Sequence, residues 1–224
     1  MKPPIAVFDL DGTLVHTAPD LVCSINHALN AHGHKAADYT ELAPFAGMGG
    51  RGMLKQICKL RSFELTEPDV LAIISTFLAH YESEMPGNSM IYEGAIEFVT
   101  ALREAGFKTA ICTNKPQYLA DKLLAKLDMA RHFDAICGAD YFAFRKPDPR
   151  HLIETIEFAG GNAARAIMFG DSQTDFDTAN GAVIPIVGVT FGYSPEPVSS
   201  FQLTKIISHY SEIDVAIVQA ITAA

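Results

Sequence analysis

Two aspartates that lie two residues apart directly follow a short apolar run near the start of the chain. The run ends in Asp9-Leu10-Asp11-Gly12, and residues two apart on an extended segment point in the same direction. Asp9 and Asp11 can therefore face one site at the carboxyl end of a strand, where open α/β sheets bind ligands. Gly12 lets the backbone turn sharply or approach a ligand closely. Taken alone, the segment is also compatible with a surface turn, because Asp and Gly are common turn residues.

A second acidic segment follows another apolar run, with Asp171 and Asp175 four residues apart. A helix beginning here would place both carboxylates on one face. Hard cations such as Mg²⁺ prefer carboxylate oxygens, waters and phosphate oxygens as ligands. Convergence of Asp9, Asp11 and Asp171 from two strand ends would make such a site. The alternative is an ordinary helix start, where acids are favoured by the helix dipole.

Polar residues also follow two further apolar runs. Thr113-Asn114 comes directly after one, and Lys146 follows another within a proline-containing loop. A Thr-Asn pair alone is typical of a helix cap, and a lysine before proline is typically solvated. Their placement favours a functional role for these residues. Four successive strand ends would carry, in turn, an acid pair, a hydroxyl, a lysine and a second acidic segment.

Five apolar runs predict the strands that position these residues: Ile5 to Leu10, Lys108 to Cys112, Ala135 to Cys137, Ala166 to Phe169 and Ile186 to Val189. Nearly continuous apolar runs of this length are typical of strands buried on both faces of a parallel sheet. Helical patterns lie between the later runs, and a final helix is predicted over Ile213 to Ile221. The alternation predicts a doubly wound, Rossmann-like α/β core.

The segment between the first two strands has a different pattern. From about residue 16 to 86 it contains three helical apolar stripes and no convincing strand. We therefore predict an inserted all-helical cap domain over residues 16–86 and an α/β catalytic core over residues 1–15 and 87–224.

The composition excludes several classes of protein. Of 224 residues, 49% are hydrophobic and 19% charged, which argues against disorder and for a well-filled core. With 17 basic and 26 acidic side chains the net charge is 17 − 26 = −9, and no basic run is present, so we expect no nucleic-acid binding. We expect neither a signal peptide nor a membrane span, because no apolar stretch of suitable length is uninterrupted by charge. Its four cysteines form no Cys-x-x-Cys pair and indicate buried, reduced thiols in a cytoplasmic protein.

These motifs, in this order, resemble those of the haloacid dehalogenase superfamily, and specifically its phosphoglycolate-phosphatase-like branch, over essentially the whole chain. The resemblance implies that Asp9 is the nucleophile that takes the phosphoryl group and that Asp11 is the general acid and base. Thr113 and Asn114 match the phosphate-binding motif, and Lys146 matches the lysine that pairs with nucleophile and phosphate.

The same resemblance implies a cofactor. Asp171 matches the Mg²⁺ ligand of the last motif and Asp175 its second acid, so the predicted metal site comprises Asp9, Asp11, Asp171 and Asp175. Phosphoryl transfer needs an in-line oxygen nucleophile and positive charge around the transferring oxygens. Mg²⁺ and Lys146 would supply the charge that lets an anionic Asp9 attack a phosphate dianion.

Three residues outside these motifs are candidates for substrate specificity. Close relatives often carry an acid and Ser where this chain has His16-Thr17; Thr17 can still cap the following helix, and His16 is either a ligand contact or an ordinary hinge residue. In a glycine-rich cap loop, Gly47 would allow close backbone approach and Arg51 would reach the substrate or its carboxylate. A flexible connector with a solvated arginine is the rival interpretation.

The expected activity is Mg²⁺-dependent hydrolysis of a small phosphate monoester through an aspartyl phosphate. Phosphoglycolate is favoured, while pyrophosphate, sugar phosphates and nucleoside monophosphates remain open. A phosphomutase on the same scaffold and a non-catalytic phosphate-sensing module are the alternatives, and Asp11 argues against the latter because a pure acceptor needs no leaving-group acid. The expected partner is a small phosphorylated metabolite, bound by a monomer or homodimer.

Overall fold

The computed structural model describes residues 2–223. Within them, a six-stranded parallel sheet has the order β5-β4-β1-β6-β7-β8. These strands are β1 (Ile5–Phe8), β4 (Lys108–Cys112), β5 (Ala135–Cys137), β6 (Ala166–Gly170), β7 (Ile186–Val189) and β8 (Lys205–Ile207). Strand β1 lies centrally, with Phe8 level with Ile111 on one side and Phe169 on the other.

Helices cover both faces of the sheet, as predicted for a doubly wound α/β core. They are α5 (Ala95–Glu104), α6 (Gln117–Lys126), α7 (Pro149–Phe158), α8 (Gln173–Gly181) and α9 (Val215–Ala223). Successive residues of β1 enter different cores, because side chains alternate along a strand. Ile5 and Val7 pack in the cluster that includes residues of α7 and α8, whereas Ala6 and Phe8 pack on the opposite face.

The chain between β1 and β4 forms the helical insertion. It contains α1 (Ala18–Ala31), α2 (Tyr39–Leu42), a 3₁₀ segment (Ala43–Met48), α3 (Gly49–Arg61) and α4 (Glu67–Glu84). Apolar residues of α1, α3 and α4 join the same buried cluster as one face of the sheet. The insertion is therefore packed against the core, and we refer to it below as the cap.

A two-stranded antiparallel ribbon connects the cap to the core. Strand β2 (Val15–His16) pairs with β3 (Met90–Ile91), with His16 opposite Met90. Asp20 of α1 accepts hydrogen bonds from the backbone of Asn88 and Ser89, which holds the returning chain against the cap. His16 thus lies in a strand although the segment from residue 16 showed no strand pattern, because two residues are too few for an alternation to be visible.

Several predicted elements differ from those observed. Strand β1 ends at Phe8 rather than Leu10, because the backbone turns there and Leu10 O accepts hydrogen bonds from Leu14 N and Val15 N. Strand β8 has no counterpart among the predicted strands, since it has only three residues, of which Lys205 is half-buried and Ile206 exposed. The last helix begins at Val215 instead of Ile213.

The cysteines follow the prediction only in part. All four are free, and Cys112 and Cys137 are buried, but Cys23 is exposed and Cys58 is partly exposed. Among the helices of the described residues, none combines the length and apolar character needed to cross a membrane.

Candidate active site

The carboxyl ends of β1 and β6 bring three aspartates together. One carboxylate oxygen from each of Asp9, Asp171 and Asp175 lies within 4.8 Å of the others, and all three residues are buried. We call them the acidic cluster. Because the chain crosses from β5 over β4 and β1 to reach β6, the β1–β6 boundary is the switch point where open α/β sheets form a ligand crevice.

Asp171 reaches the cluster from a loop and not from a helix face. Helix α8 begins at Gln173, with Ser172 as its N-cap, so Asp171 precedes the helix. Asp175 stands in the first turn, and its Oδ2 accepts hydrogen bonds from Ser172 N (3.1 Å) and Oγ (2.7 Å). The prediction that one helical face carries both acids is therefore wrong in detail, although the two carboxylates do meet.

Lys146 supplies the positive charge nearest the cluster. Its Nζ donates to Asp9 Oδ1 at 2.8 Å and to Asp175 Oδ1 at 2.6 Å. Burial alone would lower the pKa of Lys146, but Asp175 and Asp9 raise it above its ordinary value, so the lysine is charged. Burial raises the pKa of Asp9 to about 6, and Asp175 acts in the same direction against the opposing effect of Lys146.

Asp171 is the member of the cluster with the least compensation. Its Oδ2 accepts a hydrogen bond from Tyr193 N at 2.6 Å, whereas its buried Oδ1 has no partner among the described residues. Burial and the charges of Asp175 and Asp9 hold the pKa of Asp171 well above its usual range. A buried carboxylate oxygen without a donor is costly unless a cation or proton satisfies it.

The acidic cluster fits a hard divalent cation. Its donor set consists of carboxylate oxygens only, which suits Mg²⁺ and is unfavourable for soft metals. The backbone is shaped around Asp171, since a Cβ at Gly12, which has φ +85°, would lie 2.3 Å from Asp171 Oδ2. The orphaned Oδ1 of Asp171 is the observation that most directly calls for a cation.

Asp11 lies outside this cluster and has different partners. Thr17 Oγ1 donates to Asp11 Oδ1 at 2.7 Å, and Lys115 Nζ lies 3.0 and 3.1 Å from the two carboxylate oxygens. Thr17 is the N-cap residue of α1 but makes no side-chain cap bond, so its predicted capping role is wrong. Asp11 is included in the predicted metal site. Its side chain instead contacts a lysine and a hydroxyl and does not join Asp9, Asp171 and Asp175.

Lys115 is a site residue that sequence reasoning missed. It directly follows the predicted Thr113-Asn114 pair, is buried, and also donates to the hydroxyl of Tyr81 on α4 at 2.8 Å. A signal existed, because a lysine one residue beyond a polar strand end has the same features that singled out Lys146. Tyr81 gave no such signal, since it lies in an apolar helical stripe typical of a core residue.

The predicted phosphate-binding residues lie beside both lysines. Thr113 is buried, and its Oγ1 accepts a hydrogen bond from Lys115 N at 3.2 Å. Asn114 is exposed, and its Nδ2 donates to the backbone oxygen of Lys146 at 2.9 Å. Asn114 therefore connects the loop after β4 to the loop that carries Lys146, and the binding of phosphate by Thr113 and Asn114 stays a prediction.

The three predicted specificity residues are not all brought to the site. Arg51 pairs with Glu67 at 3.1 Å on the surface, with 53% of its side chain exposed. Gly47 lies nearer, since a Cβ there would be 3.8 Å from Tyr193 Cβ. His16 Nδ1 lies 2.9 Å from the hydroxyl of Tyr193. His16 thus contacts Tyr193, whose backbone holds Asp171, and Gly47 lies near the same residue, whereas Arg51 is paired elsewhere on the surface.

Comparisons with known proteins agree with this fold. The model of the haloacid dehalogenase-like hydrolase family matches residues 6–189. Phosphoglycolate phosphatase of Mesorhizobium japonicum is 47% identical over 100% of this chain and 99% of that protein. Phosphoglycolate phosphatase of Agrobacterium fabrum is 45% identical over 98% of this chain and 94% of that protein. A crystal structure of a predicted phosphoglycolate phosphatase from Haemophilus somnus has a TM-score of 0.86 at 28% identity, covering 93% of this chain and 95% of that one.

Together with the fold and the strand-end acids, these relationships define an enzyme, a phosphoric monoester hydrolase. The chain belongs to the haloacid dehalogenase-like hydrolases and, within them, to the phosphoglycolate-phosphatase-like branch.

Proposed function

We propose that the protein hydrolyses a small phosphate monoester, with Asp9 as nucleophile and Mg²⁺ as cofactor. The preferred substrate is 2-phosphoglycolate. One observation carries the assignment of roles: Lys146 holds the carboxylate of Asp9, and Lys115 holds that of Asp11. Two acids that lie two residues apart in sequence are thus kept in different electrostatic surroundings, as separate nucleophilic and acid–base roles require. The choice of 2-phosphoglycolate as the substrate rests on the names of the relatives, which are phosphoglycolate phosphatases.

Asp9 is arranged to attack through one oxygen. Its Oδ1 accepts the hydrogen bond from Lys146, whereas its Oδ2 has no hydrogen-bond donor among residues 2–223. In the first half-reaction Asp9 forms a bond to phosphorus, the bond from phosphorus to the ester oxygen breaks, and Asp11 gives the leaving oxygen a proton. Lys146 balances the charge of Asp9 and contacts the transferring group.

In the second half-reaction water hydrolyses the aspartyl phosphate. Asp11 accepts a proton from the attacking water, the bond between phosphorus and Asp9 breaks, and inorganic phosphate leaves. When bound, Mg²⁺ supplies positive charge to the transferring phosphate oxygens. Asp9, Asp171 and Asp175 are the residues that would hold it.

The test is phosphate release by purified protein from 2-phosphoglycolate and a panel of small phosphate esters, with Mg²⁺ or with chelator. We expect 2-phosphoglycolate to give the highest kcat/KM and chelation to abolish turnover. Asp9→Asn should lower kcat by about 1,000-fold or more, as removal of a nucleophile does. Asp177→Asn is the matched control, because Asp177 is exposed on α8 and, among residues 2–223, its side chain accepts a hydrogen bond only from Gln173.

Two results would contradict the proposal. Turnover of Asp9→Asn close to that of the unsubstituted protein would remove Asp9 as the nucleophile. Activity that is indifferent to chelation would remove the metal assignment. Acid quench during turnover should trap the phosphorylated chain, detectable by mass spectrometry, in the unsubstituted protein but not in Asp9→Asn.

A further inference from the structure

The ammonium group of Lys115 is buried at the contact between cap and core. Its Nζ touches both carboxylate oxygens of Asp11 and the hydroxyl of Tyr81, and it lies 4.5 Å from the centre of the Tyr81 ring. Only 3% of the Lys115 side chain is exposed. Asp11 belongs to the core and Tyr81 to helix α4 of the cap, so Lys115 bridges the acid–base residue and the cap.

Lys115 and Lys146 are the buried lysines of the described residues, and their surroundings differ. Lys146 is shared between two carboxylates, Asp9 and Asp175. Lys115 has one carboxylate partner, Asp11, which in the proposed reaction must also deliver a proton to the leaving oxygen. The three N–H donors of Lys115 face one carboxylate and one hydroxyl, so a ligand carboxylate on the leaving-group side of the site would take over one of the two donors that face Asp11.

Tyr81 adds a hydrogen-bond donor at the same place. Its oxygen accepts the hydrogen bond from Lys115, and its own hydroxyl hydrogen has no acceptor among residues 2–223. Tyr81 is 1% exposed, and a buried hydroxyl hydrogen normally has a partner. A ligand oxygen beside Lys115 would provide that acceptor.

The distances suit a carboxylate one carbon away from the ester oxygen. An ester oxygen that takes the proton of Asp11 lies about 2.5–3 Å from the Asp11 carboxylate, and Lys115 Nζ lies 3.0 and 3.1 Å from the same carboxylate oxygens. Nζ is therefore within about 6 Å of the ester oxygen. In an O–CH₂–COO⁻ group the carboxylate oxygens lie about 3 Å from the ester oxygen, so a carboxylate turned toward Lys115 can come within about 3 Å of Nζ, the length of a charge-assisted hydrogen bond.

We propose that Lys115 and Tyr81 form the subsite that recognises the carboxylate of a two-carbon phosphate ester. This inference rests on the proposed function and assigns substrate selectivity within it. The carboxylate would then be bound by Lys115, which contacts Asp11. Arg51, the residue predicted from the sequence to bind it, is paired with Glu67 on the surface. An ester that ends in a methyl group gains nothing from this subsite, and one that ends in an ammonium group is repelled by it.

The experiment compares two esters of the same length, 2-phosphoglycolate and ethyl phosphate, in several variants. The readout is the ratio of their kcat/KM values. Substituting Lys115 also disturbs Asp11, but that effect is common to both esters and cancels in the ratio. We expect Tyr81→Phe and Lys115→Met each to lower the ratio about 10- to 100-fold, the value of one hydrogen bond to a charged group. Lys115→Arg, which keeps the charge, should retain part of the preference.

Lys122→Met is the matched control. Lys122 of α6 forms an ion pair with Glu82 of α4 at 2.9 Å, so this substitution also removes a lysine contact between core and cap. Glu82 directly follows Tyr81 in the sequence, but the ion pair lies outside the site. Its ratio should stay within about twofold of the unsubstituted value, as expected for an exposed pair. A fall as large as that of Tyr81→Phe would mean that cap contact alone sets the preference, and would overturn the inference.

The remaining outcomes separate the inference from the proposed function. If the unsubstituted protein hydrolyses both esters and the ratio is unchanged in Tyr81→Phe and Lys115→Met, the carboxylate subsite is wrong and the phosphatase proposal stands. If the unsubstituted protein hydrolyses neither these two esters nor any other of the panel, the proposed function itself fails. Tyr81→Phe keeps the ring and removes only the hydroxyl, so it provides the test even if Lys115→Met does not fold.

Discussion

His151 couples the stability of the protein to pH through the loop that carries Lys146. The residue lies in the first turn of α7 and is fully buried. Its Nδ1 accepts a hydrogen bond from Lys146 N at 3.2 Å, so the neutral ring carries its proton on Nε2. Protonation of Nδ1 would break the hydrogen bond and place a positive charge beside the lysine.

The magnitude follows from the pKa of His151. Burial, assisted by the charge of Lys146, lowers this pKa from 6.5 to about 4. One unit of pKa corresponds to about 1.4 kcal/mol, so the difference is worth about 3 kcal/mol of unfolding free energy. Because the unfolded chain binds the proton more readily, this stability is fully present above pH 6.5 and is lost as the pH falls toward 4.

The assay is denaturant unfolding of the unsubstituted protein and of His151→Asn at pH 7 and pH 4, in the presence of chelator. Asparagine can offer its side-chain oxygen to Lys146 N but does not titrate in this range. On acidification we expect the unsubstituted protein to lose about 3 kcal/mol relative to the variant. Comparing the two proteins cancels the opposite contributions of Asp9 and Asp171, whose pKa values are raised. Parallel losses in both proteins would refute the assignment of the effect to His151.

Two further predictions concern Asp171. Asp171→Asn should raise the unfolding free energy in chelator by on the order of 1–3 kcal/mol. The reason is that a neutral side chain removes a negative charge that is buried without a partner beside two other acids. A lower melting temperature in chelator would contradict this. Gly12→Ala should cost more stability than Gly33→Ala, which serves as the control. Both glycines have positive φ, but a Cβ meets Asp171 Oδ2 at 2.3 Å at Gly12 and nothing within 4 Å at Gly33, so the control should cost only about 1 kcal/mol. Equal unfolding free energies for the two variants would show that the contact with Asp171 is unimportant.

The strand-end residues were predictable because parallel topology converts sequence position into proximity. Asp9 and Asp171 follow strands that pair side by side, with Phe8 level with Phe169. Apolar runs locate such strand ends even where the bounds of a strand shift by two residues, as they do for β1. The acidic cluster depends on the order of the strands in the sheet and not on their lengths.

Residues whose roles depend on contacts between distant elements could not be found in this way. Tyr81 occupies a helical position where an apolar core residue would look the same, and it reaches Lys115 only because α4 of the cap meets the loop after β4. Thr17 has the sequence of a helix cap, yet its hydroxyl donates to Asp11. His151 stands among the buried residues of α7, where no sequence pattern shows that its ring faces Lys146 N.

The charges gathered at the strand ends favour the binding of a divalent cation. When all four carboxyl groups are ionised, Asp9, Asp11, Asp171 and Asp175 carry four negative charges, and Lys115 and Lys146 carry two positive ones. One divalent cation would balance the remaining two negative charges. Without such a cation, burial and mutual repulsion make Asp9 and Asp171 hold protons more tightly. A phosphate dianion would be repelled from the four acids and two lysines alone, whereas a bound divalent cation gives it a site without net charge.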